Sequence, residues 1–191
     1  TLGPNYLVDF APPRGGRATY RYEVVIEPHN RHWLFALETA ATLPERTRMS
    51  HDGQVISTSP VRARLRYDLA SVIAPEPQLR DSEGTLRRAL RVPAGSNPRA
   101  AALAAQWRAE SAGDEAVLAR AIDFLRQGRY AYTLEPALLG SHPVDDFLFN
   151  TREGFCEHFS SAFVFLMRVA GIPSRVVTGY QGGELNPVDN I

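Results

Sequence analysis

Apolar and polar residues alternate with period two over most of the first 75 positions. In the run ATYRYEVVIE, Ala18, Tyr20, Tyr22, Val24 and Ile26 fall on one side, and Thr19, Arg21, Glu23 and Glu27 on the other. VRARLRYDL repeats the pattern, Val61, Ala63, Leu65, Tyr67 and Leu69 opposing Arg62, Arg64, Arg66 and Asp68. Side chains of an extended chain point alternately to opposite faces, so these runs predict half-buried antiparallel strands. Trp33, Phe35 and Leu37 predict another, after a turn at residues 28–30. Asp52-Gly53, between two short extended runs, predicts a tight hairpin turn. Together these elements predict an N-terminal antiparallel β-sandwich over residues 1–75, with the arginine row as its solvated face.

A proline-rich break, APEPQ at 74–78, marks the predicted boundary, and beyond it the period becomes helical. Asn97-Pro98 predicts an N-cap and first helical residue, opening a helix that carries Leu103 and Trp107 and ends near Gly113. Asp114 is the predicted cap of the next helix, whose stripe is Val117, Leu118, Ala121, Ile122 and Leu125 before Gly128. Residues 129–150 read as a long loop with one helical turn near Asp146, and its Tyr130, Tyr132 and Phe147 suit either a cleft wall or core packing. Phe159, Ala162, Phe163, Leu166 and Ala170 then follow helical spacing, closed by Gly171 and Pro173. SRVVTGY reads as a buried strand. Residues 76–191 are therefore a mixed region, and the fold class is α+β.

Charge narrows the functional classes. Twenty-one basic and 21 acidic residues cancel, leaving no bulk attraction to nucleic acid or an anionic membrane. All the basic residues are arginine, which compositional bias explains simply; a chain that handled lysine amines would also gain by offering none of its own. A single cysteine excludes a disulfide framework and any multi-cysteine metal site.

That cysteine, Cys156, opens the last predicted helix. A thiol attacks as thiolate, and the unpaired N–H groups of a helix N-terminus favour an anion. The same groups can hold the oxyanion of an attacked carbonyl, and Gly154 would let a substrate approach the backbone. Against this, Glu157 places a negative charge nearby, and free cysteine is often an inert packing residue. The thiol also needs a base. His158 stands two residues away, a helical spacing that turns two side chains apart, and CEH offers a metal no third ligand. His29, His32 and His51 belong to the β region; His142, in the long loop, is the one histidine placed to reach the cleft.

The run GFCEHFSSAFVFLMRVAGIPSRVVTGYQGGE resembles the core motif of the transglutaminase-like superfamily: a glycine before the cysteine, an apolar helix, R-x-A-G-I-P-x-R, then V-x-G-Y. More broadly, the β-rich region, the YTL segment and FLFNTREGFCEHF resemble the periplasmic part of bacterial membrane-anchored transglutaminase-like proteins. The resemblance implies a transglutaminase-like (papain-like) core cut before its last strands, with Cys156 as the catalytic nucleophile. Cys156 would form an acyl-enzyme with a glutamine side chain and pass it to a primary amine. The family's histidine and aspartate lie on strands after V-x-G-Y, so residues 1–191 alone are expected to show essentially no turnover. No cofactor and no metal are implied, and the partners are a glutamine-bearing protein or peptide and an amine. The implied location is the periplasmic side of an inner membrane, with anchoring segments outside this chain. A cysteine peptidase or amidase on the same core, or a non-catalytic binding or assembly module, are the alternative readings.

Overall fold

The structure, a computed structural model, describes residues 7–10, 12, 19–37, 39–72, 83–179, 182 and 183. The chain divides into two compact units, Thr1–Thr85 and Leu86–Ile191. The proline-rich break at 74–78 and Ala18 lie outside the described residues.

The first unit is built from antiparallel strands. The order β1 (Leu7–Val8), β4 (Thr47–Ser50), β5 (Val55–Ser57), β3 (Trp33–Leu34) makes a four-stranded sheet. β2 (Thr19–Ile26) pairs with β6 (Leu65–Val72) along its whole length, Thr19 opposite Val72 and Ile26 opposite Leu65. Ile26, Leu34, Val55, Val61, Tyr67 and Leu69, drawn from both sheets, form one buried cluster. The alternation predicted for β2 and β6 places Ile26, Tyr67 and Leu69 inward, with Tyr22, Val24 and Leu65 half-buried, whereas Tyr20 is exposed; Arg66 and Arg64 lie outside, paired with Glu23 and Glu27 at 2.7 and 2.9 Å. The Asp52-Gly53 turn joins β4 to β5: Gly53 takes a φ of 79°, and the buried Ser50 hydroxyl accepts the N–H groups of Asp52 and Gln54.

Two expectations shift. β6 begins at Leu65 and Ala63 is exposed, because the backbone at Val61 is engaged instead with His29, Asn30 and Arg31 at the preceding turn. In β3 the inward residue is Leu34, while Trp33 and Leu37 are exposed. Trp33 finds its contact on the outer side, stacked on His29 at 4.1 Å and edge-on to Phe35.

The second unit is helical: α1 (Glu83–Ala89), which spans the division, α2 (Pro98–Glu110), α3 (Asp114–Gln127), the short α4 (Pro143–Asp145) running into a π-helical turn (Asp146–Thr151), and α5 (Cys156–Val169). A two-residue parallel ladder joins β7 (Ala131–Tyr132) to β8 (Glu153–Gly154). Ala100, Ala104 and Trp107 of α2 and Val117 and Ala121 of α3 meet Ala162, Phe165, Leu166 and Met167 of α5 in one core. Leu118 of the predicted α3 stripe is exposed, and Phe124 takes its place, edge-on to Trp107 at 5.4 Å. Phe165 and Met167 widen the buried face of α5 because α2, α3 and α4 all pack on it. Gly171 ends α5 as expected: at φ 81° its N–H donates to Arg168 C=O and the next N–H to Met167 C=O, satisfying both terminal carbonyls.

Capping departs from the sequence expectation. Asn97 flanks α2 with φ 49°, and its side chain does not cap its own helix. Its Oδ1 accepts the N–H groups of Val144 and Asp145, at 2.9 and 3.4 Å. The buried Asp145 carboxylate returns the arrangement, accepting the N–H groups of Arg99 and Ala100 at 3.0 and 2.7 Å. Each helix start is thus capped by the other. Asp114 is likewise the first residue of α3, not its cap, and accepts from Arg108 Nη2 at 2.7 Å. Of SRVVTGY, residues 174–179 are described and carry no strand, and Val177 is 93% exposed. A strand forms only against a partner ladder, and here the Ser174 N–H donates to Ala89 C=O in the helical unit.

Two outcomes follow. Asp145→Ala leaves two buried N–H groups of α2 without a charged acceptor and is expected to cost about 2–3 kcal/mol in urea unfolding. In the first unit, the Tyr67 hydroxyl accepts the Phe35 N–H and donates to the Phe35 C=O, and burial pushes its pKa up to about 12. The fold therefore favours the neutral phenol: stability is intact below the ordinary tyrosine value of 10.0 and is lost as pH rises toward 12. Tyr67→Phe is expected to remove that alkaline dependence from unfolding curves recorded across this range.

Candidate active site

The residues leading into α5 are fixed before Cys156 is reached. The Asn97–Asp145 caps hold α4, and the turn after it is π-helical: the Arg152 N–H donates to Phe147 C=O, five residues back, at 3.1 Å. The wider turn buries Phe147 and Leu148 side by side. Arg152 then takes φ 52° and redirects the chain into β8. An aromatic series covers this passage. Tyr130 stacks on Phe147 at 5.2 Å, Phe147 meets Phe159 edge-on at 4.9 Å, and Tyr132 lies flat on Phe159 at 6.4 Å. Of the three aromatic residues weighed for the cleft, Phe147 is core, Tyr130 is half-buried with its hydroxyl donating to Leu148 C=O, and Tyr132 is exposed.

Cys156 is the first residue of α5 and is exposed. No group among the described residues hydrogen-bonds its Sγ, and its own N–H and that of Glu157 are not engaged among them either. The first internal bonds start one residue later, from the His158 and Phe159 N–H groups to Phe155 C=O. The thiol thus stands in water beside two open donors, the arrangement that can receive an anion forming on an attacked carbonyl.

Neither histidine considered as a base serves the thiol. His158 Nδ1 accepts the Phe155 N–H at 3.4 Å, and its ring lies against those of Phe155 and Phe147. An accepting Nδ1 puts the proton of the neutral ring on Nε2. His142 Nδ1 accepts the Asn97 N–H at 3.0 Å, which makes it a third member of the α2–α4 cap. Gly154 also has another role than the one expected. It is buried, and a Cβ there would stand 2.7 Å from both Cβ and Cγ of His158, so the bare α-carbon makes room for the imidazole and not for a substrate. Among the described residues no group of histidine, cysteine or carboxylate side chains could hold a metal ion. Nor is any helix there long and apolar enough to cross a membrane.

What sequence reasoning missed is the reciprocal capping that fixes the chain leading to Cys156: Asn97 reads there as a cap of its own helix and His142 as a residue near the cleft, and Asp145 is left without a role. Asp145, Asn97 and His142 act across a separation of 45 residues or more. The available signal was the pair of X-Pro helix starts, Asn97-Pro98 and His142-Pro143.

Residues 101–190 match the transglutaminase-like superfamily core, and residues 2–78 match the TgpA N-terminal domain. The chain thus joins a region like the TgpA N-terminal domain to a transglutaminase-like domain. It is 45% identical over 174 residues to a protein-glutamine gamma-glutamyltransferase of Pseudomonas aeruginosa, covering 89% of this chain and 25% of that protein. It is 42% identical over 71 residues to the uncharacterized protein YebA of Bacillus subtilis, covering 36% of this chain and 10% of YebA. Two crystal structures of the periplasmic domain of Pseudomonas aeruginosa TgpA share its fold. The one bound to ethylmercury gives a TM-score of 0.83 at 42% identity, over 94% of this chain and 64% of that one. The other gives 0.81 at 39% identity, over 98% and 63%. The chain thus spans a quarter of the length of the Pseudomonas transferase and less than two thirds of the crystallised domain.

Gly154→Ala forces His158 off the position that holds the Phe155 N–H. The expected outcome is a loss of about 1–3 kcal/mol in stability, from overpacking at a site with no room to give. Thermal unfolding measures it, and an unchanged midpoint would mean that the imidazole moves aside at no cost.

Proposed function

We propose that Cys156 is the nucleophile of a transglutaminase-type acyl transfer by the intact protein. The observation that carries this reading is an exposed thiol at the first position of a buried helix, with the adjacent Cys156 and Glu157 N–H groups open. The match to the transglutaminase-like core and the likeness to a Pseudomonas protein-glutamine gamma-glutamyltransferase support it.

In this mechanism the Cys156 thiolate attacks the side-chain carbonyl carbon of a glutamine. The oxyanion that forms lies at the open N–H groups, where preorganised donors stabilise developing charge. The C–N bond breaks, the carboxamide –NH2 takes up a proton and leaves as ammonia, and a thioester remains on Sγ. A primary amine then attacks the thioester, giving an isopeptide and returning the thiol. Proton transfer at both stages needs a base, which neither His158 nor His142 supplies. By the family pattern it comes with an aspartate from strands after the V-x-G-Y run, so residues 1–191 alone are proposed to be inactive. The acyl donor and acceptor are proposed to be proteins or peptides met on the periplasmic side of an inner membrane, as for the Pseudomonas domain.

The test incubates the intact protein with a glutamine peptide and a primary amine and weighs the peptide. The expected product is heavier by the amine less ammonia, and Cys156→Ala is expected to lower its rate by about a thousandfold or more. Cysteine-dependent deamidation without amine incorporation would replace the transferase with a hydrolase. Incorporation that persists in Cys156→Ala would remove the thiol from the chemistry.

A further inference from the structure

The start of α5 has no ordinary side-chain cap. Phe155, the residue before it, carries no side-chain oxygen or nitrogen that could accept an N–H of the first turn. The start is held from the other direction. His158, the third residue of α5, turns its imidazole back, and Nδ1 accepts the Phe155 N–H at 3.4 Å. This is one half of the reciprocal bonding in which a glutamate or glutamine at the third position reaches back to the residue before the helix. The bond is long, and three further contacts set the ring in place. Gly154 leaves it the room that a Cβ would fill, the Phe155 ring meets it edge-on at 4.6 Å, and the buried Phe147 ring lies 5.7 Å away. Every partner falls between Phe147 and His158, so the arrangement is complete within these residues.

Holding the start this way has two consequences for the thiol. A serine or aspartate cap in place of Phe155 would engage an N–H of the first turn, where the acyl-transfer reading puts the oxyanion. The His158 bond uses the Phe155 N–H instead, ahead of the helix, and still fixes the backbone that carries Cys156. The second consequence concerns charge. A glutamate at this position would make the same bond but set a second carboxylate next to Glu157, disfavouring both a thiolate and an oxyanion. An imidazole that accepts at Nδ1 is neutral, and supplies the bond without the charge.

We propose that His158 is a positioning residue for Cys156, fixing the start of α5 through the Phe155 N–H with an acceptor that brings no charge. It acts through Phe155 and does not touch the substrate. The inference deepens the acyl-transfer reading of Cys156 and rests on it for the step that the positioning serves.

The test compares His158→Gln, His158→Glu and His158→Ala in the intact protein. Glutamine and glutamate keep an acceptor for the Phe155 N–H, and alanine removes it. His158→Gln is expected to transfer an amine to a glutamine peptide with kcat within about threefold of the wild type. His158→Ala is expected to lower kcat about tenfold with KM nearly constant, because a misplaced helix start weakens transition-state contacts. His158→Glu separates positioning from simple support. A carboxylate suits the first turn of a helix, so its unfolding midpoint is expected at or above that of the wild type, yet its kcat about tenfold lower. Alkylation of Cys156 by iodoacetamide across pH, followed by mass, reads the same series with no glutamine substrate. The thiol pKa is expected to be unchanged in His158→Gln and raised by about half a unit or more in His158→Glu. Wild-type kcat in His158→Ala, or one thiol pKa shared by the Gln and Glu variants, overturns the proposal. The expected alkylation pattern with no amine transfer by the wild type keeps His158 in its role and removes the acyl-transfer reading. Cys156-dependent transfer that is indifferent to all three substitutions does the reverse.

Discussion

Asn97 and Asp145 exchange caps across the starts of two helices, and the placement of the thiol depends on that exchange. A helix start leaves backbone N–H groups without internal partners, and burying them unpaired is costly. Here both starts are buried, and each is satisfied by the other's side chain, with His142 closing the group on the Asn97 N–H. The chain after Asp145 is therefore fixed in position and direction where it leaves α2. A π-helical turn, a left-handed residue at Arg152 and two residues of β8 carry it to Cys156. The Cys156 helix is held from its far end as well: Arg108 of α2 donates to Ala170 C=O at 2.7 Å, and Arg168 donates to Ser174 and Arg91 carbonyls.

Such support allows the first turn of α5 to stay open. Most buried cysteines of this kind of helix would be packing residues, yet the apolar face of α5 is filled by Ala162, Phe165, Leu166 and Met167, and Cys156 lies off it. His158 lends itself to the same end. Seated over Gly154 and bonded to the Phe155 N–H, it occupies the one early backbone donor that Phe155 contributes, and the next two remain free for a substrate. The aromatic series from Tyr130 to Tyr132 gives the site a firm wall whose last ring reaches solvent.

Local chemistry in the sequence was legible where it was self-contained. The alternating faces of β2 and β6, the Asp52-Gly53 turn, the Gly171 helix end and the helix opened by Cys156 each follow from residues a few positions apart. The transglutaminase-like motif was readable for the same reason, being one ordered run. What was not readable depends on partners distant in sequence. Asn97 looks like a cap for its own helix until Asp145 is seen to cap it from 45 positions away or more. Trp33 looks inward by alternation, but a two-residue strand leaves it free to stack on His29. The valines of SRVVTGY predict a buried strand, but no ladder among the described residues receives it. The π-helical turn left no local signal: Phe147 and Leu148 are adjacent and both buried, as neighbouring positions of an ordinary amphipathic helix also are.

The measurement that bears most directly on the account is the mass of the intact protein after brief exposure to a glutamine peptide with no amine present. A nucleophilic Cys156 predicts an adduct of the peptide less one ammonia, released by hydroxylamine and missing in Cys156→Ala. A protein that deamidates or cross-links the peptide without ever carrying that adduct, or carries it in Cys156→Ala, would contradict the thioester on which the whole reading stands.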